Sequence, residues 1–446
     1  MKTIFHYNTD ISSLWGEQAV KDSVYRIMRY TVFAECDEGV LALNTITGEM
    51  VLLEGDERII LEKKHFIPDA LLNKLIAHHF LVPVDYNETE AVYKLRKIIK
   101  RLQTVNEITV YTILPTSACN AKCFYCYESD FPHVTMSSET ADLIIDFIST
   151  HCGDKKSVRL HWFGGEPMLG AERIEQICDG LEREGISFRS RMTSNGSLFN
   201  KEIAKRAKDH WHLYDIQITL DGTEQIYCRS KSYAGFNGNP YRTVLENIGH
   251  LLSLNVHVII RINLGLHNVK VLENLIQEIG TLFGQYNSLS VYIGVLFNDM
   301  GFQKVHYSQT EIAALEAAKE DLKKEIEKAG IRYAQRPRLP YLNTSHCMAD
   351  NYQAVLISPQ GNIGKCEHAV FDKLIGDVES GFLDKEKIKN WEVIHKWDEC
   401  EACCIYPGCV MLENCETLKP CIGTVYDFRI NEVKNTMTEI YLHGTS

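Results

Sequence analysis

Three cysteines at x3 and x2 spacing, Cys119-Asn-Ala-Lys-Cys123-Phe-Tyr-Cys126, follow the apolar run Ile108-Thr-Val-Tyr-Thr-Ile113. A strand that ends in a tight loop can point three thiolates at one centre. Thiolates are soft ligands, suited to iron–sulfur clusters or to zinc. A 4Fe–4S cube held by three cysteines keeps one iron free of protein ligands and open to a substrate or cosubstrate. A structural zinc site would want a fourth ligand, so a zinc knuckle borrowing a distant His or Cys is the alternative for this spacing.

Three further stretches combine glycine with polar groups: Trp162-Phe-Gly-Gly-Glu-Pro167, Thr193-Ser-Asn-Gly196 and Thr219-Leu-Asp-Gly222. Gly164 and Gly165 would let a ligand approach the backbone, and Glu166 could meet a cation. A tight strand-to-helix turn is the plainer reading of the same residues. Beyond residue 346 the chain holds Cys347, Cys366, Cys400, Cys403, Cys404, Cys409, Cys415 and Cys421. Short loops between thiols cannot build a large core; they hold metal instead, with zinc again the alternative to iron–sulfur. Cys36, Cys152, Cys178 and Cys228 have no partner spacing and read as buried thiols. The 17 histidines show neither HxxH nor HExxH spacing, so none is assigned to metal.

The elements that must position these residues follow from the apolar periodicity. Strand patterns run over 108–113, 158–162, 187–193, 215–220, 256–262 and 288–296, with helical patterns between them, such as Leu143, Ile144, Phe147 and Ile148 on one helix side. Six strands alternating with helices argue for a parallel sheet with helices outside. The cysteine loop and the three glycine-bearing stretches each follow one of these strands, where such sheets carry their sites. Upstream, 30–36 and 40–44 read as a hairpin around Asp37-Glu-Gly39, Met50-Val-Leu-Leu53 as a third strand, and 69–79 as a helix. Together they suggest a small winged-helix-like unit, a structural cap or a binding module, joined by a charged helix over 88–103. An amphipathic helix over 307–330 reads as solvated on one side and packed on the other. Val355 to Ile363 reads as a hairpin between Cys347 and Cys366.

At 446 residues the chain is long enough for two or three domains. The expected division is 1–105, 106–305, 306–346 as a bridging segment, and 347–446. A formal charge of -12 argues against a general nucleic-acid binder. There is no signal peptide pattern and no long apolar run, so a cytoplasmic protein with no membrane span is expected. In a reducing compartment, 15 cysteines serve metal more readily than disulfides.

CxxxCxxC with an aromatic before the last cysteine, here Tyr125, resembles the signature of the radical S-adenosylmethionine (SAM) superfamily. The resemblance covers about 106–300. It implies a partial six-stranded TIM-like barrel and a 4Fe–4S cluster on Cys119, Cys123 and Cys126. The open iron would bind the amino and carboxylate groups of SAM, and reduction would cleave SAM to a 5′-deoxyadenosyl radical. Gly164, Gly165 and Glu166 then match the GGEP motif that meets the SAM amino group. Ser194 and Asn195 match the TSNG turn near its ribose or carboxylate. Thr219 and Asp221 match the following strand end. The family often adds an arginine for the carboxylate; Arg229 is the expected residue, with Lys231 competing.

The C-terminal cysteines resemble the SPASM extension of that superfamily, which implies two auxiliary 4Fe–4S clusters and three clusters in all. By position, Cys400, Cys403, Cys409 and Cys421 would hold the distal one, and Cys347, Cys366 and Cys415 the nearer one. Five residues separate Cys409 from Cys415 where the family pattern has three, and Cys404 is an additional thiol. The fourth ligand of the nearer cluster is therefore an open iron position, a non-cysteine group or Cys404. The whole pattern resembles enzymes that mature ribosomally made peptides. The implied partners are a precursor peptide, whose leader would add a strand to the N-terminal hairpin, and a one-electron reductant of flavodoxin or ferredoxin type. The expected product is an intrapeptide thioether or carbon–carbon crosslink. The rivals are a sulfatase-maturing enzyme, against which Glu367 stands where that branch commonly has Asp, and a non-catalytic electron-transfer protein.

Overall fold

The computed structural model describes residues 1–5, 11, 15, 24–55, 57, 69–103, 107–296, 305–334, 339–343, 347–381, 383–391, 400, 402–409 and 424–444. Its N-terminal part contains β1 (Lys2–Phe5), β2 (Tyr25–Ile27), β3 (Thr31–Cys36), β4 (Gly39–Asn44), β5 (Met50–Glu54), α1 (Asp69–Ala77), β6 (Leu81–Pro83) and α2 (Glu88–Gln103). Strands in the order β1-β5-β4-β3 form an antiparallel sheet, and β2 pairs with β6. The expected hairpin, third strand and two helices are all present. Helix α1 lays Leu71, Leu75 and Ile76 on one face of the sheet, against Ala42, Val51 and Leu53.

The middle of the chain alternates strand and helix: β7 (Val110–Thr116), α3 (Ser138–His151), β8 (Ser157–Gly164), α4 (Ala171–Arg183), β9 (Ser187–Ser194), α5 (Lys201–Asp209), β10 (Leu213–Thr219), α6 (Glu224–Lys231), α7 (Pro240–Ser253), β11 (His257–Leu264), α8 (Leu272–Phe283) and β12 (Leu289–Val295). Each strand from β7 to β12 pairs parallel with the next, which is the expected partial (β/α)6 arrangement. Side chains alternate: Ser190, Met192 and Ser194 of β9 are buried, whereas Arg189 and Arg191 are exposed on the other face. Helix starts are fixed locally. Ser137, Asn200 and Asn239 accept hydrogen bonds from Thr140, Ile203 and Arg242 amides, caps each worth about 1 kcal/mol.

After α9 (Gln309–Lys328), β13 (Arg332–Tyr333) joins the β12 edge. At the opposite edge, β14 (Ala354–Ile357) pairs parallel with β7, and β15 (Asn362–Gly364) and β16 (Gly376–Asp377) continue antiparallel. With β13 and β16, the hairpin between Cys347 and Cys366 thus extends the six barrel strands to a sheet of ten, and the sheet runs across the boundary expected at 346/347. Helices α10 (Lys385–Asn390) and α11 (Thr424–His443) follow.

The N-terminal sheet has a second covered face. Met437 and Ile440 of α11 pack there against Val32, Ala34, Leu41, Leu43, Met50 and Leu52. Another core joins Met28, Tyr30, Ile46, Val92 and Leu95 to Leu342, Tyr406, Cys400, Cys403 and Cys409. The N-terminal sheet is thus sandwiched between its own α1 and a helix about 400 residues on. The physical reason is that β4 and β5 are apolar on both faces, and α1 covers only one.

Candidate active site

The loop after β7 carries Cys119, Cys123 and Cys126, each partly buried. Its start is held by Thr116, whose Oγ1 donates to the Val134 carbonyl (3.0 Å) and accepts from the Ala118 amide (3.1 Å). The Cys126 amide closes a turn onto the Cys123 carbonyl (3.1 Å), and the Ala121 amide donates to Cys119 Sγ (3.4 Å). Two backbone bonds sew the loop to the end of α6: Lys122 N to Lys231 O (2.8 Å) and Ala234 N to Asn120 O (3.2 Å). Burial is the main effect on the thiols, pushing Cys119 up to about 12 and Cys126 up to about 11, and the neighbouring thiols add to it. Binding of a metal cation, as iron in a cluster, offsets the cost that burial places on the thiolate.

At the end of β8, a Cβ on Gly164 (φ +117°) would lie 2.3 Å from the Thr116 carbonyl oxygen, and one on Gly165 2.3 Å from that of Ala118. The glycines let β8 close against the cysteine loop itself. Glu166 is fully buried. Its Oε1 accepts from Ser194 Oγ (2.8 Å) and the Met168 amide (3.1 Å), and its Oε2 from the Asn195 amide (2.8 Å). Burial raises its pKa and these donors oppose the rise. Asn195 passes the order on: Nδ2 donates to Asn120 Oδ1 (2.8 Å) and lies 4.0 Å from Cys119 Sγ. Glu166, Ser194, Asn195 and Cys119, separate in sequence, form one hydrogen-bonded chain. Asn120 is the member that sequence reading missed, although it sits inside the motif.

The far side of the loop rests on a buried trio. Asp221 Oδ2 accepts from the Tyr125 hydroxyl and lies 3.3 Å from Lys231 Nζ, which also donates to Tyr125 Oη (2.9 Å). Asp221 Oδ1 accepts from the Asn263 amide (2.9 Å), and Asn268 bridges the Asp221 and Asn263 carbonyls. Lys231 is 3% exposed. Asp221 beside it raises its pKa well above the ordinary lysine value, against the lowering effect of burial. Arg229 lies on the exposed side of α6, so Lys231 is the cation brought to the loop. Thr219 is half-buried at the end of β10, level with Arg261 of β11.

Below the loop, the inner faces of the strands carry a polar group of residues not singled out from sequence. His161 bonds Thr193 Oγ1 (3.1 Å) and Arg191 (3.3 Å), and Tyr292 Oη donates to Gln217 (3.1 Å). Burial holds His161 well below the usual histidine range. Glu367, directly after Cys366, has its pKa raised by burial, while Arg191 and Arg261 act in the opposite direction. Polar residues every second position near the strand ends were the available signal. Leu114, Leu356 and Val370, with Phe131 and Phe163 against them, form a small apolar cluster on the β7–β14 side.

The C-terminal cysteines divide. Cys366 is buried near the cysteine loop, within electrostatic reach of Tyr127, whose ring lies 4.3 Å from that of His368. Cys347 is exposed, its amide bonded to Asp350. Cys400, Cys403 and Cys409 share one core around Tyr406, and burial pushes Cys403 up to about 12. The Cys404 thiol instead faces Tyr426 Oη of α11 (4.0 Å), in the core between α11 and the N-terminal sheet. Cys415 and Cys421 lie outside the described residues. Among the described residues no three His, Cys, Asp or Glu side chains converge on a point that would hold a single metal ion. The fit to iron–sulfur groups rests on the donor chemistry: two loops of partly buried thiols, each set within mutual electrostatic reach.

Among known proteins, residues 113–279 match the radical SAM superfamily. An uncharacterized protein of Methanocaldococcus jannaschii is 29% identical over 113 residues, 24% of this chain and 37% of its own length. The radical SAM cyclopropyl synthase TigE of Paramaledivibacter caminithermalis is 22% identical over 157 residues, 31% of this chain and 33% of its own. The chain thus spans about a third of these relatives. Among solved structures, anSMEcpe with bound AdoMet superposes with a TM-score of 0.54 at 15% identity, over 75% of this chain and 98% of that one. SuiB of Streptococcus suis bound to the precursor peptide SuiA gives 0.51 at 13%, over 86% and 94%. The CxxxCxxC loop at the end of β7, the sheet of parallel strands and these matches agree: the chain contains a radical SAM domain on a partial-barrel α/β fold.

Proposed function

We propose that the protein is a radical SAM peptide maturase that crosslinks a ribosomally made precursor through a thioether or carbon–carbon bond. The observation that carries the reading is the hydrogen-bonded chain from Glu166 through Asn195 and Asn120 to the cysteine loop, beside the polar inner face of the barrel. When bound, a 4Fe–4S cluster and SAM supply a 5′-deoxyadenosyl radical that takes a hydrogen atom from the substrate. The chain's own work is positioning and exclusion of water. Cys119, Cys123 and Cys126 would ligate the cluster. Glu166, Ser194 and Asn195 fix a turn against the cysteine loop that would contact SAM, with Gly164 and Gly165 closing the backbone there. Tyr125, Asp221 and Lys231 brace the far side of that loop and, with Thr219, would complete the SAM site. Arg229, exposed on α6, could reach SAM only by turning inward.

Cys400, Cys403, Cys409 and Cys421 would hold one auxiliary cluster and Cys347, Cys366 and Cys415 another, and such clusters would supply one-electron acceptors for a crosslinking oxidation. About twelve irons are then expected in all. The peptide assignment draws on SuiB, which is bound to a precursor peptide in its structure, and on the N-terminal sheet, whose β1 and β3 are edge strands. An extended leader could pair with such an edge and hold the core peptide at high local concentration near the barrel mouth. A flavodoxin- or ferredoxin-type protein would supply electrons. The test is incubation, with SAM and reductant under anaerobic conditions, with short peptides encoded beside the gene. A dehydrogenated, crosslinked product by mass spectrometry is expected. Formylglycine formation on a sulfatase peptide, with none of these peptides modified, would favour the sulfatase-maturing alternative.

A further inference from the structure

The loop from Cys400 to Cys409 is walled by the N-terminal unit. Arg96 of α2 donates from Nη2 to the carbonyls of Tyr406 (3.1 Å) and Pro407 (2.8 Å), and its guanidinium carbon lies 5.5 Å from the Tyr406 ring centroid. Two further bonds cross the same boundary: Thr45 Oγ1 to the Cys404 carbonyl (2.5 Å) and the Leu342 amide to the Ile46 carbonyl (3.0 Å).

Arg96 is unusual in its surroundings. Its Nε is buried without a hydrogen-bond partner, and among the described residues it makes no ion pair. Val92 and Leu95 on the same helix are core residues. A buried guanidinium that no anion contacts directly is costly, and hydrophobic replacements of similar volume are often as stable. Burial disfavours the charge, and Tyr406, Cys409, Asp350 and Tyr30 are the groups within reach that offset this. The two carbonyls position the fork but do not neutralise it. A thiolate-ligated iron–sulfur group carries net negative charge, and its potential depends on nearby charge and hydrogen bonds.

We propose that Arg96 is the counter-charge of an iron–sulfur cluster held by Cys400, Cys403 and Cys409, so that the N-terminal unit sets the potential of the distal auxiliary centre. The proposal rests on the auxiliary-cluster reading above. Arg96 is a positioning residue: it holds the turn between Cys403 and Cys409 through its two carbonyl bonds and places a positive charge beside the thiolates. Its removal makes the cluster harder to reduce, because the added electron loses a nearby cation.

The test is an EPR-monitored redox titration of reconstituted full-length protein in a Cys119/Cys123/Cys126→Ala background. The transition lost on Cys403→Ala identifies the distal cluster. Arg96→Lys, which keeps the charge, should titrate near the parent, and Arg96→Gln, which keeps donors without charge, should shift to more negative potential. Far-UV circular dichroism and iron content confirm folding and loading of each variant. A Gln variant that loads fully and titrates with the parent overturns the proposal while the cluster reading stands. Loss of no iron on Cys403→Ala overturns both.

Discussion

Glu166 shows how a single side chain can act at one remove. Its carboxylate is filled by donors from Met168, Ser194 and Asn195, so its expected contact with the SAM ammonium would come with the turn it organises. Glu166→Gln keeps the volume but turns one oxygen into a donor facing another donor. A hydrogen bond to a charged group is worth about 1.5–3 kcal/mol, so SAM affinity should fall by roughly ten- to hundredfold with cluster content unchanged. Anaerobic calorimetry with SAM measures this; unchanged affinity would make the motif a turn only. Lys231 and Asp221 make a second residue-scale case. Lys231→Met leaves Asp221 buried and unpaired, an arrangement that costs about 3–5 kcal/mol, whereas Arg229→Met on the exposed side should stay within about 0.5 kcal/mol. Denaturant unfolding separates the two; equal effects would contradict the buried trio. The choice between Arg229 and Lys231 was not legible in the sequence. It depends on the rotational phase of α6 and on the left-handed Ser232 (φ 44°) that ends it, and two residues on a helix differ by more than half a turn.

Among the elements, those whose signal is local were read most fully. Each barrel strand has its own apolar run, and each motif follows its strand within a few residues, so order and position could be read together. The fate of the hairpin between Cys347 and Cys366 was not readable. That β14 lies parallel on β7 depends on pairing across more than two hundred residues, which no local pattern encodes. The N-terminal sheet did carry a usable signal. Gly39–Asn44 and Met50–Glu54 are apolar at consecutive positions, and a strand without alternation is one buried on both faces. The cysteine loop is likewise a local element, with its own anchors at Thr116, Asn120 and Lys231. Replacing Cys119, Cys123 and Cys126 together by alanine should therefore remove about four irons and leave the auxiliary iron in place. Loss of all iron would mean that the loops do not load independently.

At the scale of the whole molecule, the N-terminal sheet, α11 and the Cys400–Cys409 loop share cores. If residues 1–100 were a detachable leader-binding module, deleting them would leave SAM cleavage intact. With α11 stripped of its partner, the truncated protein should instead unfold more easily and lose auxiliary iron. Leader binding is better tested in place. The Thr45 amide bonds the Tyr30 carbonyl, and alternation along the pair turns the Phe33 amide outward on the β3 edge. Phe33→Pro removes that donor and should slow peptide modification well beyond Phe33→Ala, with iron content unchanged; equal rates would contradict strand addition. The central claim, that this fold carries out SAM-based radical chemistry, has one direct measurement. Anaerobically reconstituted protein, given SAM and dithionite, should form 5′-deoxyadenosine, and the Cys119/Cys123/Cys126→Ala protein should form none. A protein loaded with iron that leaves SAM intact under these conditions would contradict the account.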